Sequence, residues 1–297
     1  MPLFTVLSGF VYAARPTQDW PQYGSLVRAK VRRVLLPLLV VGTLVFLAKL
    51  LNPSSTSGIG PGDWWKPYLL GTDHIWFLQA IFLIFLITGM LDALGALKTK
   101  GYWLAATALS ALLYISSLVP SIALFGIGPA LRLLPFFLIG YGLKRFAPEL
   151  SLLSLSALVA LFTATFAPRM MTLTGAFEIE DIRLDRALAV VIGASSILVL
   201  FHFRKTLTNG FLSWVGGYAF GIYLFHYFAL QAVWIGSEAI GLGNEFALFA
   251  IGLTLGIGLP IILQIITRPS RAARLVLFGE KYAPRKERAR TAAASVH

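Results

Sequence analysis

The chain has 297 residues, 57% of them hydrophobic and only 13% charged, with a formal net charge of +12. A soluble domain of this size carries about 25% charged residues to keep its surface wet, so half that fraction excludes an ordinary water-soluble globule. The absence of cysteine excludes disulfides, iron–sulfur clusters and thiolate metal sites.

A transmembrane helix needs about 20 mostly apolar residues to cross roughly 30 Å of hydrocarbon. Residues 1–14 form an apolar run too short for a comfortable span. Runs that meet or approach the required length follow at 34–51, 74–91, 101–119, 131–143, 151–167, 187–203, 211–234 and 246–267. The 131–143 run could be extended by the apolar residues before it, and Pro129 and Pro135 predict a bend there. The pattern predicts an all-α polytopic membrane bundle of about nine helical segments. Residues 1–267 form the membrane domain, and 268–297 form a basic tail, helical at its start and disordered at its end.

The connections alternate in charge. Segment 15–33 carries Arg15, Arg28, Lys30, Arg32 and Arg33, whereas 52–73 has only Lys66 against two aspartates. Lys98 with Lys100, Lys144 with Arg145, Arg204 with Lys205, and the tail are basic, and the connections between them are not. By the positive-inside rule the basic connections are cytoplasmic, which puts 19 of the 25 Lys and Arg residues inside, together with the C-terminus. The expected location is the inner (cell) membrane. The positive charge then reads as topology and attraction to anionic lipid headgroups, with no nucleic acid partner. Residues 1–14 must run from outside to inside. The simplest account of that direction is a preceding helix missing from this sequence; a re-entrant segment or a short translocated N-tail is the alternative.

Ionisable residues inside a span are costly and so are functional candidates. His226 lies well inside 211–234, in its outer half, and His74 opens 74–91 at the outer end beside Asp73. Either imidazole could act as a general base on a hydroxyl, or each could simply bond a neighbouring helix and pack. Asp73 is the nearest carboxylate partner, although adjacent residues point to different helix faces. Arg28, Lys30, Arg32 and Arg33 could hold a polyanion such as a nucleotide pyrophosphate, or could be a stop-transfer cluster on lipid headgroups. No metal site is read from the sequence, and no phosphate-binding glycine loop, nucleophile elbow or zinc motif is found.

Five stretches resemble one family, the membrane acyltransferase-3 proteins. The first ten residues, Met-Pro-Leu-Phe-Thr-Val-Leu-Ser-Gly-Phe, are similar to its PLFFxLSGF segment. Arg28 to Pro37 resembles the basic run leading into its third helix, and Asp73 to Leu78 resembles its HLWFL segment. Arg132 to Gly142 fits its FFxxGY helix, and Gly221 to His226 its IYLxH segment. The resemblance implies ten helices with both ends inside. It also implies transfer of an acyl group, often acetyl, from the co-substrate acyl-CoA to a hydroxyl of a sugar or glycan acceptor, with no bound cofactor. Arg28 and Arg32 match its Arg-x-x-x-Arg pattern for the acyl donor, and the expected acyl-CoA-binding residues are these two with Lys30 and Arg33 of the same basic cluster. His74 and His226 match family positions of secondary catalytic weight. The family's main catalytic histidine lies on its first helix, to which nothing in this sequence corresponds. The alternatives are a transporter or flippase of a polar lipid or glycan, and a structural anchor in a polysaccharide-assembly complex. The sequence has no internal repeat of the kind many transporters are built from.

Overall fold

The computed structural model describes residues 1–51, 60–116, 124–146, 151–175 and 178–281. Among them there is no strand, and seven helices are long and apolar enough to cross a membrane. The protein is an all-α polytopic helix bundle. Its residues cluster into two compact units: residues 1–30 with 69–209, and residues 31–68 with 210–297.

The first unit is built from α1 (Pro2–Tyr12), α2 (Trp20–Lys30), α5 (Trp76–Ala93), α6 (Lys100–Ile115), α7 (Ile127–Arg145), α8 (Leu152–Leu173) and α9 (Ile182–His202). The second holds α3 (Leu36–Leu51), α4 (Lys66–Leu69) except its last residue, α10 (Gly210–Gly216), α11 (Ala219–Ile240), α12 (Glu245–Thr267) and α13 (Arg271–Phe278).

In the first unit α5 and α7 are the interior. Neither has a continuous polar face along its length, so they bury where amphipathic helices would show a polar side. The span containing α5 has 61% of its apolar window buried, against 6% for α8. The Leu161, Phe166 and Met171 side chains of α8 are exposed, which only a lipid solvent makes inexpensive. α1 meets α7 backbone to backbone. A Cβ built on Gly9 would overlap the Phe137 carbonyl, and one on Gly140 would overlap that of Val6. On the far side of α7 the Trp103 indole of α6 lies on Gly142 and donates from Nε1 to the Leu138 carbonyl at 2.6 Å.

Contacts fix the relative directions of these helices. The C-terminal ends of α1, α5 and α7 meet through Tyr12, Asp92 and Tyr141, and Phe10 packs on Phe201 near the end of α9. Their opposite ends share a cavity lined by Met1, Trp76, Arg132 and Ala189. α1, α5, α7 and α9 therefore run one way. α6 and α8 run the other, since Tyr114 and Arg169 near their C-termini meet Arg186 and Asp185 at the start of α9. This is the alternation the charge pattern predicts.

Several boundaries differ from the sequence expectation. The connection 15–33 is helical from Trp20, and through the π-turn Val31–Leu35 it continues into α3. Pro37 accounts for the widened turn: it has no N–H for the carbonyl four residues back, and its ring crowds that carbonyl. The expected span 211–234 is two helices, broken at Gly217 and Tyr218. α7 starts only at Ile127, because Phe125 and Gly126 adopt positive φ of 48° and 67°. The described part of the 101–119 run is α6, and the expected disorder at the end of the tail falls outside the described residues.

In the second unit α11 and α12 pack antiparallel. Gly221 lies against Gln264, and Leu230 against Gly252 and Gly256. α13 packs on α3, and Phe278 meets Phe225 of α11 in an edge-on contact.

Candidate functional site

The first unit has polar groups at both ends. At one end Asp92 is the only charged residue of α5, and it is 4% exposed. A carboxyl group placed there must be partnered. Tyr12 donates to its Oδ2 at 2.8 Å and Tyr141 to its Oδ1 at 2.7 Å. Arg145 donates to the Tyr141 hydroxyl, and its guanidinium lies 3.8 Å from Asp92. The Thr17 N–H donates to the Tyr12 hydroxyl at 3.3 Å, and its Oγ1 donates to the Gly89 carbonyl at 2.9 Å. The network ties α1, α5, α7 and the segment entering α2 into one end.

α2 climbs α5 from that end. Tyr23 and Leu26 sit on Gly89, and the Lys30 ammonium lies 3.2 Å from the Phe85 ring centroid, a cation–π contact inside the unit. Arg28, two residues earlier, is exposed. In the second unit Arg33 is exposed, and Arg32 donates from Nε to the Gly279 carbonyl at 3.2 Å. The basic run therefore straddles the boundary between the units, and its side chains have separate surroundings.

At the opposite end Asp73, His74 and Ile75 form a 3₁₀ turn that leads into α5. Asp73 has φ 53°, a left-handed conformation that a short polar residue tolerates better than most. Asp73 and His74 are both half-buried. Next to the turn Trp76 stacks under the Arg132 guanidinium, 5.4 Å from its ring centroid. With Tyr114, Leu133 and Phe136 these two line a cavity of about 350 Å³. An aromatic wall beside a guanidinium can hold a small ligand with an apolar face and hydrogen-bond an acceptor atom on it.

His226 is half-buried on α11 in the second unit, with Nδ1 3.0 Å and 2.8 Å from the Ile222 and Tyr223 carbonyls. Carbonyls only accept, so Nδ1 carries a hydrogen. The structure thus keeps Asp73 and His74 in one turn and puts His226 in the other unit. Among the described residues no group of three His, Cys, Asp or Glu could hold a metal ion.

Sequence reasoning passed over Asp92, Tyr12 and Tyr141. A signal for Asp92 was present: a lone acid closing an otherwise uncharged helix, where an unpartnered charge is too costly to keep. Its partners lie 80 and 49 residues away in the chain, beyond the reach of any local pattern.

A family model described as Acyltransferase domain, of the acyltransferase 3 type, matches residues 1–265. No curated protein and no solved structure gives a significant match.

Proposed function

The chain belongs to this acyltransferase family and is a membrane acyltransferase; on that premise we propose that it moves an acetyl group from acyl-CoA to a hydroxyl of a sugar or glycan. The basic run Arg28, Lys30, Arg32 and Arg33 binds the phosphates of the donor on the cytoplasmic face of the inner membrane. The acceptor enters from the outer face, and the cavity beside Trp76 and Arg132 supports that half of the reading. His74 with Asp73, or His226, activates the acceptor hydroxyl; attack on the thioester carbonyl forms the ester and releases CoA thiol. Coenzyme A is too highly charged to enter hydrocarbon, so donor and acceptor must meet inside the protein.

The observation that carries the donor assignment is the concentration of four cations within six residues of helix at the end of an apolar span. Each Arg–phosphate bond in such a site contributes about tenfold in affinity or more. Arg28→Ala and Arg32→Ala are each expected to raise the KM for acetyl-CoA by at least about tenfold at saturating acceptor, with the acceptor KM little changed. Unchanged donor kinetics in the double variant would remove the basic run from the donor site.

A further inference from the structure

We propose that the second unit carries a pocket for a phosphate-bearing group, in which Glu280 is the resident anion. The pocket has a volume of about 220 Å³ and is lined by Tyr218, Gln264, Arg268, Arg274, Phe278 and Glu280. The Arg268 guanidinium lies 5.9 Å from the Tyr218 ring centroid, and Gln264 holds the Tyr218 carbonyl at 3.0 Å, so one wall is fixed. On the other wall the Arg274 side chain is only 13% exposed. Its Nε donates to Glu280 Oε2 at 3.0 Å, and Nη2 reaches the same oxygen. Two donors of one guanidinium thus converge on an anionic oxygen, an arrangement that serves a phosphate oxygen equally well.

Glu280 is poorly placed for stability alone. It follows the last turn of α13, beside the negative end of the helix, where a carboxylate is disfavoured. Its side chain is also 42% exposed, so it can swing out to water while Arg274 cannot. The backbone beneath it is anchored. The Glu280 N–H donates to the Arg274 carbonyl at 3.2 Å. Gly279, at φ 61°, presses on the backbone of Arg32 and Arg33, and its carbonyl accepts from Arg32 Nε. A phosphate that displaces the carboxylate therefore meets Arg268 and Arg274 in a preformed recess, and the Arg32 guanidinium holds the Gly279 carbonyl beside it. Arg268, Arg274 and Glu280 lie beyond residue 265, outside the matched family region. The inference does not rest on the donor reading above.

An anionic lipid headgroup and the phosphates of coenzyme A share this chemistry, and two binding assays separate them. The full chain in phosphatidylcholine nanodiscs is titrated with coenzyme A by calorimetry. In nanodiscs containing phosphatidylglycerol, retained lipid is counted by native mass spectrometry. In at least one assay Arg268→Gln and Arg274→Gln are expected to weaken binding about tenfold, while Glu280→Gln strengthens it several-fold by removing the competitor. A purely structural ion pair makes the opposite forecast for Glu280→Gln, since both of its partners would then act alike. Arg274→Gln and Glu280→Gln shifting binding in the same direction, or neither shifting it in either assay, would overturn the proposal.

Discussion

Asp92→Ala is expected to cost about 2–4 kcal/mol of stability, because the substitution takes a buried carboxyl group from three partners at once. The Tyr141 hydroxyl loses its acceptor and the Tyr12 hydroxyl is left with Thr17 Oγ1 at 2.8 Å, in a region where both rings are almost fully buried. Arg145 loses the carboxyl group 3.8 Å away; being partly exposed, it contributes the smaller share. A buried hydroxyl with no acceptor costs about 1–3 kcal/mol, and the stranded Tyr141 hydroxyl contributes the largest share. Asp92→Asn keeps one carbonyl acceptor and should lose less than half as much. Detergent-titrated unfolding of the purified chain checks both. If Asp92→Ala unfolds at the same midpoint as the parent, the network does not hold the end of this unit together.

The second large effect lies on the α1–α7 contact and has an internal control of opposite sign. Glycine inside a helix is disfavoured against alanine by about 1 kcal/mol, so Gly→Ala in open space stabilises. Gly258 of α12 has nothing within 4 Å of an added Cβ, and Gly258→Ala should gain up to about that amount. At Gly140 the added methyl would overlap the carbonyl of Val6, and backbone cannot rotate aside as a side-chain tip can. The two helices must separate, opening contacts along the pair, so Gly140→Ala should destabilise by about 1–3 kcal/mol despite the propensity gain. The same unfolding assay reads both variants. Equal shifts for Gly140→Ala and Gly258→Ala would show that α1 and α7 are not in backbone contact.

Much of the fold was legible because lipid imposes a simple rule. Every backbone group must be satisfied within its own segment, so long apolar runs become helices and the charge pattern fixes their alternation. α5, α7, α9 and α12 follow from this directly. The helical state of α2 did not, because its sequence WPQYGSLVRAK has no apolar run, and it forms where Tyr23, Leu26 and Lys30 find Gly89 and Phe85. Nor did the break before α11, where two glycines and the packing of Gln264 on Gly221 interrupt an otherwise continuous hydropathy signal.

The site was legible in a different proportion. His74, His226 and the basic run stand out as ionisable groups in an apolar sequence, and that contrast needs no structure. How they are held does. His226 Nδ1 is committed to backbone carbonyls one turn back, Lys30 folds onto an aromatic ring, and Arg32 anchors the cap of α13. Each contact depends on helix phase or on a partner distant in sequence. The pocket around Arg274 and Glu280 was out of reach for the same reason: within the basic tail those residues read only as topology and lipid attraction.

In the proposed reaction the protein joins a donor on its basic face to an acceptor on the opposite face. The most direct test reconstitutes the full chain in vesicles of known orientation with radiolabelled acetyl-CoA on one side and a glycan acceptor on the other. Label should reach the acceptor only when acetyl-CoA bathes the face carrying Arg28 to Arg33. Transfer that requires donor and acceptor on the same face, or no transfer with acetyl-CoA on either face, would contradict it.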